Sequence, residues 1–150
     1  MARRLTDTEL RAWQAFLHAH HDVVGSLDEE LRSAHGVTFA EYDVLLRLAR
    51  ARGRTLRMGE LAERVLLSPS GITRLVERLV SKGLIEREMD QADRRAVLAT
   101  LTTEGSTLIR AAARTHVQGI HEHFTTRLSV AQLRAVASAL ERITGPHVPH

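Results

Sequence analysis

The sequence has 150 residues, 43% of them hydrophobic, and its 21 basic and 18 acidic side chains give a net charge of only +3. This length suits one domain with a sizeable core, and so small a net charge does not by itself indicate a nucleic-acid partner. The absence of cysteine excludes disulfides and thiolate metal sites. The absence of a membrane-spanning stretch or an apolar signal segment predicts a cytoplasmic protein with no membrane partner.

The N-terminal segment predicts one long helix. Thr6 and Glu9 form a capping box, so the helix begins at Thr6 and extends to about Ala34. Its side chains follow a heptad repeat with two positions on one seam, namely Leu10, Leu17, Val24 and Leu31, and then Trp13, His20, Leu27 and Ala34. A seam this long and narrow indicates packing against another long helix, such as one from a second chain.

Shorter elements follow this helix. Thr38 and Glu41 form a second capping box, which predicts a helix that ends near Gly53. Thr55–Arg57 is predicted as a short strand, and residues 58–65 as the first helix of a helix-turn-helix.

The next helix has the features of a DNA-reading helix. Ser68 is a good N-cap, Pro69 suits the first helical position, and Gly83 ends the helix. The spacing of the apolar residues predicts one buried stripe, made of Ile72, Leu75, Val76, Leu79 and Val80. The opposite face combines hydroxyls and cations that can reach base edges and phosphates, namely Ser70, Thr73, Arg74, Arg78 and Lys82.

Beyond Gly83 the pattern predicts a hairpin. Residues 84–88 and 96–101 are predicted as strands, and the polar residues 89–95 join them. Two helices followed by a hairpin with a basic tip are typical of a winged helix-turn-helix, in which the second helix enters the major groove and the wing reaches the minor groove.

The last third of the chain is predicted to be helical. A long helix begins at Thr102 or Thr103 and extends to about Thr126. Ser129 and Gln132 form a third capping box, which begins a final helix that ends at Gly145.

Four segments together resemble the MarR family of bacterial regulators. They read ITRLVERL at residues 72–79, KGLIER at 82–87, DQADRR at 90–95 and LTTEG at 101–105. The resemblance implies a mainly α fold with a small β-hairpin wing. It also implies a winged helix-turn-helix lobe at about residues 37–102, and terminal helices at about 1–36 and 103–150 that form an intertwined dimerisation region.

The predicted DNA contacts lie on the second helix and the wing. We assign the floor or edges of the major groove to Ser68, Ser70, Thr73 and Arg74, and a phosphate contact to Arg78. The resemblance implies that Asp93 braces the wing and that Arg95 enters the minor groove, while Arg94 contacts the DNA backbone or braces the wing. The alternative for these residues is a solvated helix face and a polar turn.

Two further sets of residues are candidates for ligands. A small anionic or aromatic effector could contact Trp13, His20 and Tyr42, although core packing is the alternative for Trp13 and Tyr42. Some regulators of the resembled family sense zinc, so His116, His121 and His123 are candidate metal ligands. Surface or interface positions are the alternative for these histidines.

The sequence therefore predicts a DNA-binding transcriptional regulator, a ligand-responsive repressor that binds a pseudo-palindromic operator as a homodimer. The alternatives are a zinc-responsive regulator of the same fold and a sequence-independent winged-helix DNA binder. No nucleophile motif, phosphate loop or carboxylate pair points to an enzyme, and no cofactor is predicted.

Overall fold

The structure is a computed structural model that describes residues 3–65 and 69–145, with the backbone but not the side chains of Pro69 and Ser70. Ser68 and the predicted turn at residues 66–67 lie outside this part of the chain. The described helices are α1 (Asp7–His35), α2 (Phe39–Arg50), α3 (Met58–Arg64), α4 (Pro69–Ser81), α5 (Thr103–His123) and α6 (Val130–Thr144). The strands are β1 (Thr55–Arg57), β2 (Ile85–Met89) and β3 (Val97–Leu101).

Three helices begin at the predicted capping boxes. At α1, the Glu9 carboxylate accepts a hydrogen bond from the Thr6 N–H, and the Thr6 hydroxyl accepts one from the Glu9 N–H. The same reciprocal pairs begin α2 and α6, with Thr38 and Glu41 in one and Ser129 and Gln132 in the other. These bonds satisfy N–H groups that have no partner within the helix, so each start could be read locally.

Two helices end earlier than predicted. Helix α2 ends at Arg50 rather than near Gly53, because Ala51 takes an extended conformation with φ −73° and ψ 149°. Helix α5 ends at His123 rather than near Thr126, because Phe124 leaves the helical region with φ −127° and ψ −63°. A short 3₁₀ turn follows each helix, at Arg52–Arg54 and at Thr125–Arg127.

The strands form one antiparallel sheet in the order β1-β3-β2. Strand β2 pairs with β3 from Ile85 opposite Leu101 to Met89 opposite Val97. Strand β1 covers the other edge of β3, with Arg57 opposite Leu98. The predicted short strand at β1 is therefore confirmed, and the sheet connects the region before α3 to the hairpin.

The described chain forms two compact units. The central unit is Leu27–His116, and the terminal unit contains residues 3–26 and 117–145. The core lies in the central unit, where Leu31, Leu45, Leu48 and Leu79 are fully buried. This core includes parts of α1 and α5 as well as the predicted lobe. The assignment of the remaining helical segments to dimerisation stays a prediction. None of the described helices is long and apolar enough to cross a membrane.

Candidate DNA-binding surface

Helix α4 has one face in the core of the central unit. The predicted stripe is confirmed at four positions, since Ile72, Leu75, Val76 and Leu79 are all at most 2% exposed. It is wrong at Val80, which is 38% exposed. Each helical residue advances by about 100° around the axis, so Val80 lies beyond Val76, which forms the edge of the buried stripe on that side.

The opposite face of α4 carries the predicted DNA contacts. Thr73 and Arg74 are exposed, and the Arg78 side chain is 55% exposed. Ser70 lies in the first turn of the helix, while its side chain, like Ser68, is outside the description. A helix with a buried apolar face and an exposed cationic face can present that second face to nucleic acid. The individual contacts stay predictions.

Gly83 connects α4 to the hairpin. Its φ of +72° is in the left-handed region that glycine adopts at little cost. The Gly83 N–H donates to the Val80 carbonyl at 2.9 Å, and the Leu84 N–H donates to the Leu79 carbonyl at 3.0 Å. This Schellman motif ends the helix as predicted and turns the chain directly into β2.

The wing consists of β2, β3 and their connection at residues 90–96. Within the connection, the Asp93 carboxylate accepts a hydrogen bond from the Arg95 N–H at 3.1 Å. Arg94 and Arg95 are exposed at the tip of the wing. The side chain of Asp93 thus stabilises the turn that carries the two arginines, while its effect on DNA binding and the contacts of Arg94 and Arg95 stay predictions.

A second aspartate, which the sequence analysis missed, attaches the wing to the start of α3. Asp90 pairs with the Arg57 guanidinium at 2.7 Å and accepts a hydrogen bond from the Ala92 N–H at 3.0 Å. The Ala92 N–H and then Arg57 lower the pKa of the Asp90 carboxyl, so it is ionised at neutral pH. The signal for this pair was that Arg57 at the end of β1 and Asp90 just after β2 have opposite charges. They could be paired only from the strand register, because β1 and β2 lie on either side of β3.

The wing and α4 border one surface. An open concavity of about 530 Å³ in the central unit is lined by Thr73 from α4, by Arg57 from the start of α3 and by Arg87 and Arg95 from the wing. Residues predicted separately from the helix and the hairpin therefore meet on one side of the unit. The lining holds three arginines and two glutamates, Glu60 and Glu63, so an excess of one positive charge faces this side of the unit.

Comparisons with known proteins place the chain in a family. A model described as the MarR family matches residues 35–96. AbsC, a MarR family transcriptional regulator from Streptomyces coelicolor with a crystal structure, is 31% identical over 95% of this chain and 96% of AbsC, with a TM-score of 0.88. The chain belongs to the MarR family of transcriptional regulators. The predicted family and fold class are confirmed.

Two further relatives are transcriptional regulators. Sco3205 from Streptomyces coelicolor, solved in complex with DNA, is 29% identical over 96% of this chain and 90% of Sco3205, with a TM-score of 0.90. The transcriptional repressor MdtR of Bacillus subtilis is 32% identical over 101 residues. That match takes in 67% of this chain and 61% of MdtR, so the chain spans about three fifths of that relative's length.

The predicted effector residues of this MarR-family protein lie in both units. In the terminal unit, Trp13 is 54% exposed, so core packing within the described chain is wrong for it. The Trp13 ring lies 6.1 Å from that of Phe16, which lies 6.4 Å from the His20 ring. In the central unit, Tyr42 is only 4% exposed and belongs to the core. Effector binding by any of them stays a prediction.

The histidines proposed as metal ligands have different surroundings. The ring of His116, in the central unit, lies 4.5 Å from the Tyr42 ring and 5.7 Å from the Phe39 ring. Burial lowers the pKa of His116, against the opposing effect of the Asp43 charge. In the terminal unit, His121 Nδ1 lies 3.0 Å from the Thr125 hydroxyl, and His123 is partly buried. The zinc alternative stays a prediction.

Proposed function

We propose that the protein is a homodimeric repressor that binds a pseudo-palindromic operator, with one α4 helix in the major groove of each half-site. One observation carries the proposal: the exposed face of α4 and the arginines of the wing border the same surface of the central unit. Because the opposite face of α4 is packed into the core, the helix is held rigidly enough to be docked into DNA as one body. The DNA complex of the relative Sco3205 supports this use of the fold.

The exposed apolar residues of α1 support a dimer. Leu10, Trp13 and Leu17 follow the predicted heptad seam, and each is at least 43% exposed in the single chain. Such a seam is typical of a helix that packs against a second chain, and MarR-family regulators are typically dimers. A two-fold dimer would read two half-sites about 10 bp apart, or a multiple of that spacing.

An effector would act on this arrangement through the dimer. A small anionic or aromatic molecule that changes the separation of the two α4 helices would prevent simultaneous contact with both half-sites. Trp13 and His20 are exposed in the single chain and would contact it where the second copy leaves them uncovered, whereas Tyr42 would require the core of the central unit to open. Displacement of bound DNA by a panel of small aromatic carboxylates tests this part of the proposal.

The first test is fluorescence anisotropy with duplex DNA from the region upstream of the protein's own coding sequence, against a scrambled duplex of the same length. Salt must be the same in both titrations, because phosphate contacts alone can produce tight binding at low salt. A preference of about 1,000-fold or more for the upstream duplex is expected of a specific regulator. Equal binding to both duplexes would instead support the sequence-independent alternative.

Arg95→Ala tests the wing. We expect operator binding to weaken by about 1–3 kcal/mol, because an arginine inserted into a groove would lose its base or sugar contacts. The fold should be unchanged, since Arg95 is exposed. The matched control is Arg110→Ala, which removes an exposed arginine from α5 and should leave the affinity as it is. Unchanged affinity in the folded Arg95→Ala variant would remove the wing from the mechanism.

A further inference from the structure

Glu41 has an unusual position for an acidic side chain. It is 1% exposed, and it is the one charged side chain that is buried in the part of the chain described here. Burial of a carboxylate is unfavourable unless its oxygens are paired with donors. Glu41 therefore needs a structural or functional explanation.

Helix capping does not account for this burial. Among the described residues, three capping boxes have a hydroxyl side chain at the N-cap, and in the other two the corresponding side chains, Glu9 and Gln132, are not buried. All three side chains accept a hydrogen bond from the N–H of the capping residue, and Glu41 does so from Thr38 at 2.9 Å. Accepting this N–H thus does not require the side chain to be buried. It does not require a charge either, since Gln132 is neutral.

The further partners of Glu41 come from α4. Its Oε1 accepts a hydrogen bond from Arg78 Nε at 3.3 Å, and its Oε2 accepts one from Lys82 Nζ at 2.8 Å, just after the helix ends. Burial raises the pKa of the Glu41 carboxyl, but the bonds from Lys82, the Thr38 N–H and Arg78 together hold this pKa below its ordinary value. The carboxylate is consequently ionised at neutral pH and attracts both cations.

Lys82 completes the pairing in a way that arginine would not reproduce. Its ammonium also donates to the Gly36 carbonyl at 2.9 Å, so one compact group connects the turn after α1, the first turn of α2 and the end of α4. An ammonium is a point charge with three donors on a flexible stem, whereas a guanidinium is a planar fork. Lys82 is the only lysine in a chain with 21 basic residues.

Arg78 is held differently. The bond to Glu41 uses Nε, one of the five donors of the guanidinium, while the side chain stays 55% exposed on the predicted DNA-binding face. Because the guanidinium is planar, a bond at Nε limits the rotation of the whole group. The arginine is thus restrained at the protein side and accessible at the other side.

We propose that Glu41 is a positioning residue for DNA binding, which orients the guanidinium of Arg78 toward a phosphate of the bound duplex. The inference rests on the proposed function, because it requires α4 to contact DNA. Orienting the group before binding reduces the conformational entropy that would otherwise be lost on contact. If the ion pair only joined α2 to α4, Glu41 would affect the stability of the fold and not the affinity of the folded protein.

The experiment is a double-mutant cycle with Glu41→Gln, Arg78→Gln and the combined variant. Affinity is measured by anisotropy on the upstream and the scrambled duplex, over a range of salt concentrations. We expect each single variant to lose about tenfold in affinity per half-site, or about 100-fold for the dimer, on both duplexes, as for one charge-assisted phosphate contact in each subunit. Each should also lower the slope of log K against log salt concentration by about 2, which is about 1 for each half-site of the dimer. The combined variant should be no weaker than Arg78→Gln alone.

Two further variants keep the test informative. Glu9→Gln makes the same chemical change in an exposed capping box and should alter neither affinity nor salt slope. Glu41→Gln combined with Lys82→Met also removes the second cation that faces Glu41, and it replaces Glu41→Gln, with Lys82→Met alone as its reference, if Glu41→Gln does not fold. Circular dichroism and thermal unfolding establish that each variant is folded at the temperature of the titrations.

The outcomes separate this inference from the proposed function. Additive losses in the cycle, or an unchanged salt slope in folded Glu41→Gln, would overturn the positioning role and leave only a structural one. Unchanged affinity in Arg78→Gln would overturn it as well, while operator binding by the unmodified protein would still support the proposed function. If the unmodified protein binds neither duplex, both are overturned.

Discussion

The two units of the molecule treat their apolar side chains in opposite ways. In the central unit the large apolar side chains are buried or partly buried, and among the described residues only Val80 and Met89 are exposed. The terminal unit leaves most of its large apolar side chains exposed. They are Leu5, Leu10, Trp13, Phe16, Leu17, Val117, Val130, Leu140 and Ile143.

This difference shows that a helix can be specified by its local sequence even where its apolar side chains are not packed in a core. The helices that begin in the terminal unit have complete capping boxes, at Thr6 and at Ser129, so their starts are specified locally. Capping specifies where a helix begins, but most helical stability in proteins comes from packing of the apolar face. The central unit supplies this packing itself, whereas the terminal unit has an apolar surface suited to a second copy of the chain.

The largest expected effect comes from charging that surface. Replacing Trp13 and Leu17 together with glutamate places two negative charges on one face of α1, where each side chain is more than 40% exposed. We expect the dimer to dissociate and operator affinity to fall by about 100-fold or more, since binding of the second half-site is no longer intramolecular. Light scattering coupled to size-exclusion chromatography reports the mass, and anisotropy reports the affinity.

The exposed polar residue Gln14 gives the control for this change. Gln14→Glu adds one charge to the same helix outside the heptad seam and should leave the dimer intact. A double variant that is still dimeric, or a monomer that binds the operator with unchanged affinity, would contradict the role given to the terminal unit.

A truncation in the core of the central unit should have the next largest effect. Leu45 is fully buried, so Leu45→Ala should reduce the free energy of unfolding by about 2–5 kcal/mol through lost burial and the remaining cavity. Ile143→Ala is the counterpart in the terminal unit, where the side chain is 79% exposed. In a monomeric background it should change stability by less than about 0.5 kcal/mol. Chemical denaturation of both variants checks this contrast, and equal losses would contradict it.

Gly105 tests how closely the elements of the central unit pack. A Cβ at this position would lie 2.3 Å from the Leu84 carbonyl oxygen and 2.7 Å from a methyl group of Leu101. Gly105→Ala should therefore destabilise the fold by about 1–3 kcal/mol, because backbone must move. A Cβ at Gly59 in α3 would have no neighbouring atom within 4 Å. Gly59→Ala should therefore leave the free energy of unfolding unchanged or raise it by up to about 1 kcal/mol. Thermal unfolding that ranks the two variants in the opposite order would contradict the close approach at Gly105.

The smallest expected effect is a pH dependence from His116. Burial lowers the pKa of His116 below its ordinary value of 6.5, and Nδ1 has no hydrogen-bond partner among the described residues. As the pH is lowered, His116 is therefore protonated in the unfolded chain at a higher pH than in the folded protein. Its contribution to the free energy of unfolding is fully present above about pH 6.5 and falls as the pH decreases toward the lowered pKa. Denaturation midpoints measured between pH 5 and 8 should fall toward the acidic end more steeply for the unmodified protein than for His116→Gln.

The carboxylates with shifted pKa values do not interfere in this range. Glu41 and Asp28 both have pKa values below their ordinary ones, so the stability they contribute is lost only at a more acidic pH. A midpoint that is as pH-dependent in His116→Gln as in the unmodified protein would assign the effect to another group.

The sequence by itself determined the features that depend on neighbouring residues. Capping boxes, the termination of α4 at Gly83 and the stripe from Ile72 to Leu79 involve groups a few residues apart, so the order of residue types is enough to predict them. The family followed from motifs in the same region, between residues 72 and 105. Even locally, helix ends at Arg50 and His123 were misplaced, because no residue type marks them as strongly as glycine marks the end of α4.

Only the tertiary structure decided which side chains act across the fold. Glu41 looked like one of three equivalent capping residues until its burial and its two bonds to Arg78 and Lys82 were known. Asp90 was a loop residue until the strand register brought Arg57 within 2.7 Å. Such contacts join residues more than 30 positions apart, and a sequence pattern with a period of two to four residues carries no information about them.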